Sequence, residues 1–221
     1  MYTTRSEMPN EWPLKRKGTK YIATASHSKR KSVPILFVLR DFLRIAKTKR
    51  EACKILFSGE VIVNSRIIKD INFPIQIGDA VSIKKIEKHY LLSLENKKFK
   101  LVEISGKDSG KKIIKVIGKK ILSGKKVQLN LRDGRNIISE NNVNAGDSIV
   151  LNFENNKIEK ILPLKDGAEI EIIGGKYAGE KGNLKEVQLR KRGKAYIIKT
   201  KDREIELSIE LIKVSEGHHG K

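Results

Sequence analysis

The sequence predicts an α+β protein that is mostly β. Two short stretches with helical periodicity come early in the chain, and from Glu60 onward apolar residues recur at every second position. Glycine-containing turns precede several of these alternating stretches, and no long helical pattern follows Phe57. With 38% apolar residues and 17 glycines among 221 residues, the chain can form packed cores, which excludes disorder throughout.

The charge of the chain is strongly unbalanced. Its 47 Lys and Arg residues against 26 Asp and Glu give a net charge of +21, and residues 1–165 carry nearly all of this excess. So basic a chain repels itself unless a polyanion neutralises it, and nucleic acid is the commonest such partner. No apolar stretch approaches the roughly 20 residues of a membrane helix, and no signal peptide is recognisable. We therefore expect a cytoplasmic protein that binds nucleic acid and has no membrane partner.

Residues 1–31 form a basic N-terminal arm without a sustained helical or strand period. Trp12, Tyr21 and Ile22 are scattered among its positive charges. One interpretation is a disordered, solvated tail. The other is an extended arm that becomes ordered on RNA, with its aromatic residues anchoring it to the protein or stacking on bases. The basic residues of the arm form two clusters: Lys15, Arg16, Lys17 and Lys20, then Lys29, Arg30 and Lys31.

Two helices are predicted after the arm. Val33–Ala46 has one apolar face, with Arg40, Arg44 and Lys47 on the opposite face. Lys49–Phe57 has Thr48 as its N-cap, Glu51 in a capping box and Gly59 beyond its end. Its basic residues are Lys49, Arg50 and Lys54. Such basic stripes are often only a solvated surface, but their spacing also suits contacts along phosphates.

The rest of the chain has strand and turn signals. Asn64-Ser65, Asp133-Gly134 and Asn155-Asn156 are predicted hairpin turns. A tight turn that leads directly into a half-buried strand is predicted at three places: residues 77–83, 145–151 and, with the Gly-Asp pair reversed, 166–172. Further short strands are predicted at residues 112–117, 126–131 and 135–138.

One segment of the first half resembles a known RNA-binding module. The matching residues are KTKREACKILFSGEVIVNSRIIKD at 47–70, followed by QIGDAVSI at 76–83. This pattern resembles the S4 RNA-binding domain, although that family usually has glycine at the position of Ser65. The resemblance implies an S4-type helix pair plus β-hairpin domain at residues 32–89, which presents basic residues to structured RNA.

A second resemblance lies in the last quarter of the chain. Asp166–Val187 has alternating Ile170 and Ile172 followed by several glycines, and it resembles a KOW motif. The resemblance implies a small, five-stranded SH3-like barrel at residues 166–214, with Lys176 and Lys181 on an exposed loop. A phosphate-cradling nucleotide loop is excluded because no Lys-Ser/Thr pair follows the last glycine.

The order of these parts carries a third resemblance. A basic arm, an S4-type domain, a central β domain at residues 90–165, the KOW barrel and a tail at 215–221 together resemble the ribosomal protein S4e family in its shorter, archaeal form. The arm supports this with EWPLKRKGTK at residues 11–20, whereas residues 1–8 depart from the family's pattern. The resemblance covers Pro9 to Val214.

Membership of this family would imply a structural constituent of the small ribosomal subunit, in the cytoplasm. Its partners would be small-subunit ribosomal RNA and neighbouring small-subunit ribosomal proteins. The alternative is a free KOW-type RNA-binding regulatory factor that acts with RNA polymerase or during ribosome assembly. The residues predicted to bind RNA are Lys15, Arg16, Lys17, Lys20, Lys29, Arg30, Lys31, Arg40, Arg44, Lys47, Lys49, Arg50, Lys54, Lys176 and Lys181.

No residue set supports an enzyme, a small-molecule substrate, a cofactor or a metal site. The four histidines have no spacing that gathers three ligands, and His218 and His219 lie in the tail. The Glu169/Glu171 and Glu204/Glu206 pairs are two residues apart, as on a solvated strand face. Cys53 lies between the apolar and basic faces of the second predicted helix, which favours an inert thiol.

Overall fold

The computed structural model describes residues 2–29, 31–139, 143–190, 193–200 and 203–216. The chain divides into two compact units, Met1–Lys112 (unit 1) and Ile113–Lys221 (unit 2). Among the described residues, none of the helices is both long enough and apolar enough for a membrane crossing.

The described residues of unit 1 form two α-helices, a π-helical segment and three antiparallel sheets. The elements are β1 Tyr2–Thr4, β2 Tyr21–Ala23, β3 Ser32–Pro34, α1 Ile35–Phe37, α2 Lys49–Phe57, β4 Val61–Val63, β5 Arg66–Ile67, β6 Pro74–Gln76, β7 Ala80–Ile83, β8 Lys88–Glu95 and β9 Lys98–Ile104. The sheets pair β1 with β2, β3 with β6, and five strands in the order β5-β4-β7-β8-β9.

The second predicted helix is confirmed with its predicted bounds. Thr48 has extended backbone angles and its side chain accepts a hydrogen bond from the Glu51 N–H, as an N-cap does. Ala52 and Leu56 are buried on its inner face. Gly59 follows the helix at φ +73°, the left-handed conformation in which glycine carries no Cβ penalty.

The first predicted helix is wrong in length and regularity. The structure has only one α-helical turn, α1, followed by a π-helical segment at Val38–Phe42. Its start is lost because β3 pairs with β6 and keeps the chain extended through Pro34. Its end is lost because Arg44 has a φ of +55°. The apolar pattern is still satisfied, since α1, Val38 and Leu39 are all buried.

In the described residues, the arm is packed against the rest of unit 1 and is not a separate tail. β1 and β2 pair antiparallel, and the Trp12 side chain is only 1% exposed. The Trp12 indole N–H donates to the Ser32 carbonyl at 3.1 Å, and its ring meets the Phe37 ring edge-on at a centroid distance of 5.2 Å. The interpretation that an aromatic residue anchors the arm to the protein therefore holds for Trp12, without RNA.

The five-stranded sheet of unit 1 continues past the predicted boundary between residues 89 and 90. This boundary falls inside β8, which pairs with β7 on one side and β9 on the other. Asn96 and Lys97 both have positive φ and form the tight turn between β8 and β9. Residues 90–104 thus extend the sheet of unit 1, because the pairing of β8 with β7 and with β9 runs through residue 90.

The described residues of unit 2 form two antiparallel five-stranded sheets. The strands are β10 Lys111–Ile121, β11 Val127–Leu131, β12 Asn136–Ser139, β13 Ser148–Asn152, β14 Lys157–Leu162, β15 Glu169–Ile172, β16 Lys181–Arg190, β17 Gly193–Lys199, β18 Glu204–Ser208 and β19 Ile212–Val214. The first two residues of β10 are the last two of unit 1. The strand orders are β12-β11-β10-β13-β14 and β18-β17-β16-β15-β19. Each sheet has an apolar core, around Leu129 and Ile149 in the first and around Ile170 and Ile198 in the second.

The predicted turns are confirmed. Gly78, Gly146 and Gly167 all have positive φ and directly precede β7, β13 and β15. Asn64 and Ser65 have φ values of +48° and +64°, so the β4–β5 loop has the two left-handed residues of a type I′ turn even though glycine is absent. These turns are set by local sequence, which is why the sequence predicts them well.

Candidate nucleic-acid interface

Helix α2 presents the most regular part of the predicted basic surface. Lys49, Arg50 and Lys54 are all exposed. At the start of the helix, the Glu51 carboxylate accepts the backbone N–H of Lys47 at 2.7 Å, and this hydrogen bond lowers the Glu51 pKa. An ionised Glu51 stabilises the positive N-terminal end of the helix, where Lys49 and Arg50 add two further positive charges.

The basic residues before α2 do not form the predicted stripe. Because the helical segment ends at Phe42 and Arg44 is left-handed, Arg40, Arg44 and Lys47 do not share one helix face. The Arg40 guanidinium is half-buried, 2.8 Å from the Asp41 carboxylate and 5.3 Å from the Phe37 ring centroid. Arg44 and Lys47 are exposed. Arg40 is therefore partly engaged by the protein, with 34% of its side chain exposed, while Arg44 and Lys47 are more exposed.

The basic loop of the arm is organised around Arg5. The Arg5 guanidinium donates to the carbonyl of Thr19 at 2.7 Å and to that of Lys15 at 2.5 Å. A Cβ on Gly18 would lie 3.1 Å from Arg5 Cζ, so glycine lets the loop close around this side chain. The loop that Arg5 holds in this way carries four exposed cations: Lys15, Arg16, Lys17 and Lys20.

The second arm cluster lies on a loop fixed by Ser28 and Ser32. Ser32 Oγ donates to the Ser28 carbonyl at 2.9 Å, and the Lys31 N–H donates to the same carbonyl at 3.0 Å. Lys29 and Lys31 are exposed on this loop, and Arg30 lies outside the described residues. The loop is thus held by the buried Ser32 side chain and displays its lysines to solvent.

The Asp79 carboxylate fixes the hairpin that follows α2. Its Oδ1 accepts hydrogen bonds from Asn64 Nδ2 and Lys112 Nζ, both at 2.7 Å, and its Oδ2 accepts the Gln76 N–H at 2.6 Å. Asn64 also accepts the Ala80 N–H at 3.0 Å. Asp79 and Lys112 are 5% and 6% exposed, so the ion pair is buried. This set of bonds locks the β4–β5 turn to the start of β7.

In unit 2, the Lys176 and Lys181 side chains are both exposed. Tyr177 is half-buried and packs against the core of the β15–β19 sheet. The Arg203 guanidinium lies 4.5 Å from the Tyr177 ring centroid and pairs with Glu180 at 2.7 Å. Lys176 lies on the loop before β16, and its ammonium is 5.6 Å from the Tyr177 ring centroid. The prediction of a loop position is wrong for Lys181, which is the first residue of β16 and lies opposite Glu171 on β15.

The carboxylate pairs of unit 2 take part in ion pairs. Glu171 pairs with Lys213, Glu204 with Lys185, and Glu206 with Arg190, each at 2.7 Å. The exposed Glu204 and Glu206 match the solvated-surface interpretation. The Glu171 and Lys213 side chains are only 13% and 12% exposed, so that interpretation does not hold for Glu171. Within the described part of the chain, no three His, Cys, Asp or Glu side chains are grouped closely enough to hold a metal ion.

The sequence of this chain is similar to those of a known protein family. The family model described as ribosomal family S4e matches residues 86–158. The small ribosomal subunit protein eS4 of Archaeoglobus fulgidus is 35% identical over 192 residues, which span 86% of this chain and 81% of that protein. The chain belongs to the S4e family. The eS4 protein of Methanosphaera stadtmanae is 36% identical over 86% of this S4e chain and 81% of its own length.

A solved structure shows the same fold. The crystal structure of the 30S ribosomal protein S4e from Thermoplasma acidophilum superimposes with a TM-score of 0.71 and covers 83% of this chain and 94% of that one. Sequence identity between the two is 22%. The mostly β architecture is thus that of the S4e family.

In this S4e chain, the predicted RNA-binding residues that the structure describes are exposed, with Arg40 half-buried. Two residues at this surface could not be predicted from the sequence: Arg5, which holds the arm loop, and Tyr2, whose hydroxyl accepts a hydrogen bond from Lys49 Nζ at 3.3 Å. Both lie in residues 1–8, which depart from the family's pattern and have no periodicity of their own. Only the β1–β2 pairing and the fold of the loop bring them to the basic surface.

Proposed function

We propose that this S4e chain is a structural constituent of the small ribosomal subunit in the cytoplasm, where it binds and stabilises ribosomal RNA without catalysing a reaction. The observation that carries this proposal is its similarity to archaeal proteins named small ribosomal subunit protein eS4, over most of both chains. The exposed cations of the arm and of α2 support it, because RNA binding requires basic groups at the surface.

The chemistry of binding is neutralisation of phosphates. Each Lys or Arg that meets a phosphate releases condensed counterions, which gives affinity that falls with salt. The RNA contacts lie at Lys15, Arg16, Lys17, Lys20, Lys29, Arg30, Lys31, Arg40, Arg44, Lys47, Lys49, Arg50, Lys54, Lys176 and Lys181. Recognition is largely by RNA shape, because the deep and narrow major groove of A-form RNA hides base edges from side chains.

The domain roles form part of the same proposal. Residues 32–89 act as an S4-type RNA-binding domain, and the hairpin fixed by Asp79 supports this role by lying directly after α2. Residues 166–214 act as a KOW-type SH3-like barrel, supported by the five-stranded sheet that they form in unit 2. Neighbouring small-subunit ribosomal proteins complete the set of partners.

Density-gradient fractionation of a cell lysate tests this function. We expect the protein to sediment in stoichiometric amounts with small subunits and to stay there in moderate salt. A protein found mainly free, or with RNA polymerase, would overturn the proposal in favour of a regulatory factor. Incubation of the pure protein with unmodified small-subunit ribosomal RNA tests the non-catalytic part, and any site-specific nucleotide modification would contradict it.

A further inference from the structure

We propose that the exposed face of the β1–β2 ribbon is a stacking site for unpaired RNA bases, with Tyr2 and Tyr21 as its two platforms. This inference rests on the proposed function and adds to it a specific class of ligand, single-stranded nucleotides. It concerns residues 2–4 and 21–23, so half of the site lies in the segment that departs from the S4e pattern.

The pairing register puts the two tyrosines on one face. Tyr2 lies opposite Ala23, and Thr4 lies opposite Tyr21. Since side chains alternate along a strand, these four residues share a face, while Ile22 is on the other face and is buried at 6% exposure. Diagonal neighbours on such a ribbon have Cβ atoms about 7–8 Å apart, so one short RNA segment can reach both rings.

Both rings are open to solvent. Tyr2 is 66% exposed and Tyr21 is 57% exposed, whereas Trp12 in the same arm is 1% exposed and packs on Phe37. The arm thus has two kinds of aromatic residue: Trp12, which anchors it, and the two tyrosines, whose side chains are exposed. Isolated exposed apolar residues are common at protein surfaces, so exposure alone does not indicate a binding site. The additional observation here is that a cation lies close to each exposed ring.

Each exposed ring has a lysine ammonium over it, so that a base stacks on the side of the ring that the ammonium leaves open. Lys49 Nζ lies 5.7 Å from the Tyr2 ring centroid, and Lys20 Nζ lies 5.4 Å from that of Tyr21. One lysine comes from α2 and the other from the loop held by Arg5, so two separate elements supply the same arrangement. A ring that stacks on a base, next to a cation that meets the backbone phosphate, is the arrangement by which proteins bind single strands.

The ribbon is held in place before any RNA binds. The Arg5 N–H donates to the Lys20 carbonyl at 2.9 Å, directly after β1 and directly before β2. The Arg5 side chain also donates to Thr19 Oγ1 at 3.0 Å. A preformed platform lowers the entropy cost of ordering the protein on binding. The positive charge around the ribbon also favours a polyanion as the ligand. An apolar protein partner would bury the lysine ammonium groups without a counter-charge, which is unfavourable.

The test compares two fluorescent RNAs with the full-length protein: a blunt hairpin, and the same hairpin with a single-stranded uridine tail. We expect wild type to prefer the tailed RNA by roughly tenfold or more per stacked base. The Y2A/Y21A variant should lose this preference but bind the blunt hairpin as wild type does. The slope of log affinity against log salt for the tailed RNA should change little, because no cation is removed.

Three further variants make the result specific. Y2F/Y21F keeps both ring faces and should keep the preference, while Y2L/Y21L keeps apolar bulk without a ring and should lose it even if Y2A/Y21A folds poorly. F57A removes an aromatic side chain that is 70% exposed but lies outside the ribbon, and it should keep the preference. A 2-aminopurine placed in the tail should be quenched by wild type and not by Y2L/Y21L.

The outcomes separate this inference from the proposed function. If wild type binds both RNAs equally, or if Y2L/Y21L keeps the preference for the tail, the stacking site is overturned while RNA binding stands. A loss of the preference in F57A equal to that in Y2L/Y21L would also overturn it. If wild type binds neither RNA, both the inference and the proposed function fail.

Discussion

Lys112 Nζ and Asp79 Oδ1 form a buried ion pair at 2.7 Å, although the two residues are 33 positions apart in the chain. The Asp79 side chain also accepts bonds from Asn64 and from the Gln76 backbone, so its charge is compensated by three donors. A basic residue of this chain is therefore used to hold the fold, whereas Lys49, Arg50 and Lys54 of α2 are exposed.

Removing one member of this pair should strongly destabilise unit 1. D79A leaves the Lys112 ammonium buried without its counter-charge, and we expect the free energy of unfolding to fall by about 3–5 kcal/mol, measured by urea denaturation. K112M should cost a similar amount, and D79A/K112M clearly less than the sum of the two. The exposed pair of Lys88 and Glu103 is the matched control, and K88A should change stability little. Equal effects of D79A and K88A would contradict the importance of the buried pair.

Lys115 should give unit 2 a characteristic pH dependence. Burial, and to a smaller degree the charge of Arg132, lowers the Lys115 pKa from 10.5 to about 8. Between about pH 8 and 10.5 the unfolded chain therefore holds a proton that the folded chain has released, so folding becomes more favourable as pH rises. The stability of wild type relative to K115M should increase across this window. Other titrations, such as that of Tyr196, cancel in the difference. A flat or falling difference in thermal unfolding scans would show that the ammonium is not desolvated.

Gly182 should tolerate no side chain. A Cβ at this position would lie 2.6 Å from the Lys199 carbonyl oxygen on the neighbouring strand, which cannot move without breaking the pairing of β16 and β17. We expect G182A to lower the free energy of unfolding by about 1–3 kcal/mol, as overpacking does. G118A is the control, because a Cβ on Gly118 meets no atom within 4 Å. If the two variants unfold at the same denaturant concentration, the steric argument fails.

Trp12 should report directly on whether the arm is docked. It is the chain's single tryptophan and is almost fully buried, so the RNA-free protein should emit at the blue end of the tryptophan range. W12A should lower the stability by about 3–5 kcal/mol, because it removes a large side chain from a packed site. F37A, which removes the ring in contact with Trp12, should shift the emission to the red. Red emission from wild type would mean that the arm is detached in solution.

The basic surface near α2 should contribute to RNA binding through charge. R44E/R50E is expected to weaken binding to small-subunit ribosomal RNA and to reduce the slope of log affinity against log salt by about one unit for each phosphate that the variant no longer neutralises. Circular dichroism should show an intact fold, because both side chains are exposed. K160E changes the charge of an exposed lysine in unit 2 and serves as control. Unfolding of R44E/R50E would mean that these residues are structural.

The features that the sequence predicts well are those that local chemistry decides. The cap at Thr48, the left-handed Gly59 and the turns before β7, β13 and β15 each depend on a few adjacent residues. The first helix could not be predicted in full, because its pattern of apolar residues is compatible with a helix while the pairing of Val33 with Ile75 requires an extended chain. The alternation of apolar and polar residues likewise predicts strands, but it does not reveal that β8 and β9 belong to the five-stranded sheet of unit 1.

In the candidate site, too, the features that depend on local sequence could be predicted, and those that depend on distant contacts could not. Clusters of basic residues are visible in the sequence, and most of them are exposed in the structure. The contact between Arg40 and Asp41 and the closure of the loop around Arg5 are not visible, because they depend on how distant or irregular segments fold together. The stacking face of Tyr2 and Tyr21 depends on a strand pairing between segments that the sequence separates by most of the arm.

The burial of Lys112 and Lys115, at 6% and 4% exposure, affects how chemical footprinting of this protein must be interpreted. Amine-reactive reagents label lysines that reach solvent, so both side chains will resist acylation in the free protein as fully as a lysine covered by RNA does. Only the lysines whose labelling changes between the free and the RNA-bound protein mark the interface. The folded, RNA-free chain is therefore the required reference for any such map, and an unfolded or fragmented chain would add two false contacts.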